Sequence, residues 1–264
     1  MSIINSQVNS HIEAIKEVAG YLWEKGWAER NGGNISADLT GIVTETEFEK
    51  GSRYLSAELP EESANMILFV TGTGKRLRDL RTRAEMVSCI IAIDAQAKGY
   101  NIIWGGEENQ GFRPTSEFIS HISIHLYNRS KGNGHRCVVH THPIELIAIS
   151  HHPVLGNNEM KLNRVLWSML PEIRVFVPKG IAIAEYLLPG SKELAELTVK
   201  RLEGRDVILW SKHGALSSGR DALEAFDYID VANKGAMIYL KCLQAGFTPE
   251  GLSDEELKGL EVFI

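Results

Sequence analysis

Three histidines have the types and spacing for metal chemistry: His140 and His142, which bracket Thr141 at the end of an apolar run, and His213, which closes a second run. The stretch Arg136-Cys137-Val138-Val139-His140-Thr141-His142 is rich in β-branched residues and lies between Gly134 and Pro143. It reads as a buried strand entering a turn. Side chains alternate along a strand, so His140 and His142 share a face and Cys137 points away from them. Asp206-Val207-Ile208-Leu209-Trp210 is also strand-like and leads into Lys212-His213-Gly214, which sets a third imidazole at the mouth of a sheet. Three imidazoles from two strand ends suit a zinc ion with one position open to substrate, because a structural zinc fills all four positions with protein ligands. A carboxylate is the expected fourth group. His11, His121, His125, His135, His151 and His152 lack this pattern and are expected to be hydrogen-bonded loop or core residues.

Two glycine-rich turns add a second kind of chemistry. Asn31-Gly32-Gly33-Asn34 and Thr71-Gly72-Thr73-Gly74-Lys75 can each expose successive backbone N–H groups beside amide, hydroxyl and ammonium side chains. A phosphate group needs such donors. Neither turn is a standard nucleotide motif: Leu77 stands where a dinucleotide fingerprint has its third glycine, and the spacing around Lys75 fails the Walker pattern. A zinc enzyme acting on a small phosphorylated metabolite fits both sets of residues.

The elements that must position these groups alternate between helices and strands. Val8, Ile12, Ile15, Ala19 and Leu22 recur at helical spacing and predict an N-terminal amphipathic helix running into Trp23–Trp27. Ile67–Val70 predicts a strand, and Met86–Ile93 with Ile102–Trp104 a hairpin across Lys98-Gly99. Helices are expected from Glu117 to about Arg129, from Pro143, from Asn158 to Met169, from Ser191 to Leu202, and from Asp221 to Gln244 before Gly246. Arg174–Val177 reads as a strand, and Ser253–Ile264 as a capped helix. No internal repeat or low-complexity segment is visible. The mixture predicts a three-layer α/β (α+β) arrangement, a central sheet covered by helices.

Composition narrows the class. With 264 residues and no linker-like stretch, the sequence predicts one domain spanning 1–264. The net charge of −6, without a basic block, argues against nucleic acid as a partner. No apolar run reaches the roughly 18 residues of a membrane span, and Met1-Ser2-Ile3-Ile4-Asn5 lacks the regions of a signal peptide, so no membrane association and a cytoplasmic location are expected. Cys89, Cys137 and Cys242 form no Cys-x-x-Cys pair and predict neither a disulfide framework nor a redox motif.

Read in order, Trp23-Glu24-Lys25-Gly26-Trp27-Ala28-Glu29-Arg30-Asn31-Gly32-Gly33-Asn34, Thr71-Gly72-Thr73-Gly74-Lys75, Pro114-Thr115-Ser116-Glu117, His140-Thr141-His142-Pro143, Leu166-Trp167 and His213-Gly214 resemble the class II aldolase and adducin superfamily from about Tyr21 to Gly246. The tryptophan-rich approach and the long segment from Lys75 to Pro114 resemble its rhamnulose-phosphate aldolase branch more than the shorter fuculose-phosphate aldolases or ribulose-phosphate epimerases.

This resemblance implies a central, mainly antiparallel sheet covered by helices. It also implies reversible cleavage of L-rhamnulose 1-phosphate to dihydroxyacetone phosphate and L-lactaldehyde by a zinc-dependent homotetramer. Zinc acts there as a Lewis acid on the negative charge left by C3–C4 cleavage, so no lysine Schiff base is required. His140, His142 and His213 are the implied ligands, and Glu117 the implied proton carrier at C3. Asn31, Gly33, Asn34, Thr73, Gly74, Thr115 and Ser116 match positions that hold the phosphate and the substrate's polar groups. Thr73 stands where relatives often have serine, and keeps the hydroxyl. Glu172 matches a glutamate that reaches the aldehyde end from a neighbouring subunit, although the residues just before it depart from the glycine-containing stretch expected there. Other readings are an aldolase for L-fuculose 1-phosphate, an epimerase for L-ribulose 5-phosphate, a zinc hydratase or hydrolase, and an adducin-like scaffold without activity.

Overall fold

Runs of aliphatic residues buried on both faces mark strands that helices cover above and below. The computed structural model describes residues 4–43, 53–106 and 111–264; Met1–Ile3 and residues 107–110 of the long segment before Pro114 lie outside them. The described residues form one nine-stranded sheet. In chain order its strands are β1 (Asn34–Asp38), β2 (Arg53–Ser56), β3 (Ile67–Thr71), β4 (Ser88–Ile93), β5 (Gly99–Gly105), β6 (Cys137–Thr141), β7 (Ile181–Ala184), β8 (Val207–Trp210) and β9 (Gly214–Gly219). They lie side by side as β2-β5-β4-β3-β1-β6-β9-β8-β7. Every pairing is antiparallel except β7 with β8. The mainly antiparallel sheet that the resemblance implies is therefore present.

Strand alternation sorts the core into two layers. Ile35, Ala37, Phe69, Ile90, Cys137, Val139 and Leu209 face α1 (Ser6–Glu24), α2 (Leu80–Val87), α4 (Ile144–Ser150), α5 (Glu159–Met169) and α8 (Ala222–Gln244). Leu68, Val70, Ile91, Val138, Ile208, Trp210 and Leu216 face α3 (Phe118–Lys131) and α7 (Lys192–Leu202) on the other side. Cys137 thus lies across the sheet from the histidine face. Helix starts are capped: Asn5, Ser191 and Asp221 accept hydrogen bonds from Val8, Leu194 and Glu224, and Ser253 begins α9 (Asp254–Gly259) with a capping box. The fully buried Ile15 of α1 illustrates the scale of packing; truncation to alanine there costs about 2–5 kcal/mol.

Two expectations need correction. Arg174–Val177 is not a strand: α6 covers Pro171–Phe176, with proline at its first turn, where a fixed φ favours helix. The strand comes later, at Ile181–Ala184, beyond Gly180 with φ +72°. Met86 and Val87 end α2, so the predicted hairpin starts at Ser88.

Between β1 and α3 the interior is polar. Ser36 and His121 have no exposed surface, and His125 is 1% exposed. Burial pushes the His121 imidazole down to about 3 and His125 to about 4. Both stay neutral in the folded chain, whereas in the unfolded chain they take up protons near pH 6.5. Their contribution to stability is complete above pH 6.5 and is lost as the pH falls toward 4, at about 1.4 kcal/mol per pH unit for each group. Urea unfolding of the metal-free protein is expected to show lower stability at pH 5 than at pH 7.5. An unchanged midpoint at constant slope would contradict the buried neutral imidazoles.

Candidate active site

Sheet order brings the three histidines together. β6 carries His140 and ends one residue before His142, β9 pairs with it on one side, and His213 lies in the turn between β8 and β9. Lys212, at φ +62°, turns the chain there. Ring centroids are 5.2 Å apart for His140 and His142, 4.9 Å for His140 and His213, and 5.6 Å for His142 and His213. One ligand atom from each lies within 4.8 Å of the others, the one such group found among the described residues. Trp210 forms the floor, stacked on His213 at 5.2 Å.

Hydrogen bonds decide which nitrogens are available. His140 Nδ1 lies 3.0 Å from the Ala215 carbonyl oxygen, and His142 Nδ1 lies 2.6 Å from Glu29 Oε1. An imidazole that donates from Nδ1 to such a partner has its Nε2 lone pair directed away from it and available to a metal. Burial pushes the His140 imidazole well below 6.5 and His213 to about 4, so both are neutral, as ligation requires. The Glu117 carboxylate lies between two of these nitrogens, 3.6 Å from His140 Nε2 and 3.5 Å from His213 Nε2. Donors around a tetrahedral zinc with bonds of about 2.0–2.1 Å stand roughly 3.4 Å apart. The two Glu117 contacts match that spacing, and three imidazoles within 4.8 Å of one another supply donors of the chemistry zinc takes.

Glu117 caps the start of α3 and is 4% exposed. Burial pushes its carboxyl above the usual range, opposed by the hydrogen bond from Asn34 and the nearby His142. A bound cation would draw it back toward the ionised form. Asn34 Nδ2 donates to Glu117 Oε2 at 2.7 Å.

The glycine turns meet at the same place. Gly72 bridges to Pro114, Thr73 N donates to the Arg113 carbonyl and Thr115 N to that of Thr71, which lays the second turn beside Thr115, Ser116 and Glu117. Asn31, Gly33, Asn34, Thr73, Gly74, Thr115, Ser116, Glu117, His140, His142 and His213 all line one pocket of about 160 Å³. Two residues named from the sequence lie elsewhere. Lys75 Nζ sits over the Phe112 ring at 5.7 Å, and Glu172 is exposed in the first turn of α6. A wider groove of about 650 Å³, lined by Phe176, Asp206, Glu224 and Phe263 among others, contains none of these residues.

Some contributors escaped the sequence reading. Gly214 stands where a Cβ would come within 2.8 Å of the His140 ring and 2.9 Å of the His142 ring, so the residue after His213 must be glycine for the imidazoles to converge. Thr141 Oγ1 and His142 N both donate to the Trp27 carbonyl, pinning the tryptophan-rich loop to the histidine strand. That loop delivers Glu29 to His142. Its sequence signal was its place in the Trp23–Asn34 stretch, two residues before Asn31, which does not say what it touches. Because the Glu29 side chain is 63% exposed, Glu29→Ala is expected to weaken metal binding by about 10-fold, the low end for groups that orient a ligand, in a competitive chelator titration.

Residues 13–240 match the family described as "Class II Aldolase and Adducin N-terminal domain". The chain belongs to that family. Among class II aldolases it is 41% identical over 255 residues to a rhamnulose-1-phosphate aldolase of Bacteroides thetaiotaomicron, covering 95% of this chain and 93% of the relative. It is 34% identical to the Pectobacterium atrosepticum enzyme of the same name, over 94% and 91% of the two chains. A sugar-phosphate aldolase structure from Thermotoga maritima superposes with a TM-score of 0.78 at 32% identity, covering 93% of this chain and all of the other. An L-fuculose 1-phosphate aldolase structure shares the fold at 21% identity and a TM-score of 0.63. Class II aldolases are metal-dependent lyases, and the three-histidine group of this chain could bind a metal ion. No helix among the described residues is long and apolar enough to cross a membrane.

Proposed function

We propose that the chain catalyses reversible, zinc-dependent cleavage of L-rhamnulose 1-phosphate to dihydroxyacetone phosphate and L-lactaldehyde in the cytoplasm. The observation that carries this reading is the buried Glu117 carboxylate poised between His140 and His213, in a chain 41% identical to a relative that bears the corresponding name. His140, His142 and His213 would hold the metal. Zinc would supply Lewis-acid stabilisation of the charge that C3–C4 cleavage leaves on the substrate. Glu117 takes and returns the proton at C3, with Asn34 holding the carboxylate in place. The phosphate is read by backbone N–H groups and by Asn31, Thr73, Thr115 and Ser116, with Gly33 and Gly74 letting the backbone approach; among the described residues the pocket lining holds no lysine or arginine.

The pocket of about 160 Å³ is smaller than the roughly 300–1,000 Å³ of typical ligand sites. That supports a site completed by a second copy in a homotetramer, with Glu172 of the neighbouring subunit at the aldehyde end. A monomeric variant with full activity would defeat this part. A single domain over 1–264 is supported by the continuous sheet and by α1 packing on α8.

The test is a coupled assay for dihydroxyacetone phosphate from L-rhamnulose 1-phosphate, with and without a chelator, beside L-fuculose 1-phosphate and L-ribulose 5-phosphate. Metal-dependent release that favours the rhamnulose ester is expected. Zinc-loaded protein that cleaves neither ketose 1-phosphate but interconverts pentulose 5-phosphates would replace this reading with the epimerase.

A further inference from the structure

Glu117 stands at the end of a buried polar seam that the cleavage chemistry does not require. α3 and its cap carry Glu117, His121, His125 and Arg129 at four-residue intervals, and β1 carries Asn34, Ser36 and Asp38 at two-residue intervals. Four residues of helix rise about 6 Å and two residues of strand about 6.7 Å, so the two rows stay in step. The contacts follow that match. Asn34 touches Glu117 and His121, Ser36 touches His121 and His125, and Arg129 pairs with Asp38 at 2.7 Å.

Hydrogen positions along the seam follow from the carboxylate. Ionised Glu117 can only accept, so Asn34 must turn its NH2 group toward it. Asn34 Oδ1 then faces His121 Nε2 at 2.5 Å, and that nitrogen must carry the ring's hydrogen. A neutral ring with its hydrogen on Nε2 has a bare Nδ1, which accepts from the Ser36 hydroxyl at 2.7 Å. Ser36 Oγ accepts in turn from His125 Nε2 at 2.8 Å. This leaves His125 Nδ1 bare, and it is a buried atom with no hydrogen-bond partner among the described residues. A chain of donors running in this direction ends on an unpaired lone pair, which proteins tolerate better than an unpaired N–H. Apolar side chains would fill the same space without the risk of unsatisfied polar atoms, but they could not orient an amide.

We propose that His121 is a positioning residue for Glu117: it acts through Asn34, holding that amide with its NH2 toward the carboxylate, while Ser36 and His125 keep the imidazole hydrogen on Nε2. Without the His121 donor, Asn34 Oδ1 loses its partner, and the amide is no longer fixed at the distance and angle that hold the carboxylate. Glu117 then moves off the line to C3. This role rests on Glu117 being the proton carrier of the proposed reaction.

Two measurements test it. In zinc-loaded protein labelled with 15N-histidine, long-range 1H–15N correlation spectra are expected to show His121 and His125 neutral at pH 7 with the hydrogen on Nε2; a hydrogen on Nδ1 of His121 overturns the proposal. In the cleavage assay, His121→Phe at full zinc content is expected to lower kcat about 10- to 100-fold with KM changed less than about twofold. His121→Gln keeps an N–H near the Nε2 position and is expected to recover most of that loss. Equal losses in the two variants, or none in either, would mark His121 as packing only. If His121→Phe fails to fold, the spectra decide. If the wild type cleaves no ketose 1-phosphate, the substrate reading fails while the spectra still report the direction of the chain.

Discussion

Glu117→Gln is expected to keep its metal and to lose turnover by about 10²- to 10⁴-fold, the usual scale for removing a general acid or base. Glutamine preserves the volume and an oxygen acceptor, so Asn34 can still donate to the side chain and α3 keeps its start. The substitution removes the basic site. Since three imidazoles remain, zinc content after dialysis should match the wild type, and loss of metal cannot then account for the loss of rate. The burial that raises the Glu117 carboxyl favours a neutral group at this position, so the variant should fold at least as stably as the parent in a urea titration. Turnover unchanged within error would remove Glu117 from the proton transfer.

His142→Ala is expected to lower zinc affinity by at least about 10²-fold and to abolish cleavage in buffer free of added metal, since a four-ligand zinc site contributes roughly 10–16 kcal/mol and each ligand a sizeable share. His142 makes the cleanest test of the three. Its side chain is 19% exposed against 1% for His140, so its truncation opens little cavity in the core. Partial recovery of activity at high zinc would follow, because His140 and His213 still converge at 4.9 Å between ring centroids. Full activity without metal in the same variant would contradict the metal-centred reading.

The histidine group that could hold a metal was legible because strand alternation is a local rule. His140 and His142 had to share a face, and Cys137 had to oppose them, once the run 136–142 was read as a strand. The glycine turns were legible as backbone donors, and they do meet in one pocket with the histidines. Four strands were not legible. β1 carries Asn34, Ser36 and Asp38 on a buried face, against the expectation that such a face is apolar. β9 is Gly-Ala-Leu-Ser-Ser-Gly, without a β-branched residue, and holds its place through pairing with β6 and β8. The short β2 and β7 likewise take their places from pairing with β5 and β8. Arg174–Val177 misled because a short aliphatic run has no period long enough to separate strand from helix.

His121 and His125 were expected to be hydrogen-bonded core residues, and both are buried and bonded. What the one-dimensional pattern could not supply was their partner. Glu117, His121 and His125 recur every four residues, a spacing visible in the chain, yet Asn34 lies 83 residues from Glu117 and 87 from His121. The types and spacing of the residues were enough to specify a histidine group able to take a metal, two glycine turns rich in backbone donors and a sheet between helix layers, because each depends on short-range periodicity and on the donor atoms a side chain carries. The pairing of β1 with β6, the row-by-row match of β1 to α3, the approach of Glu29 to His142 and the clearance at Gly214 arise only when distant segments pack, because strand order and register set those distances and no local period encodes them.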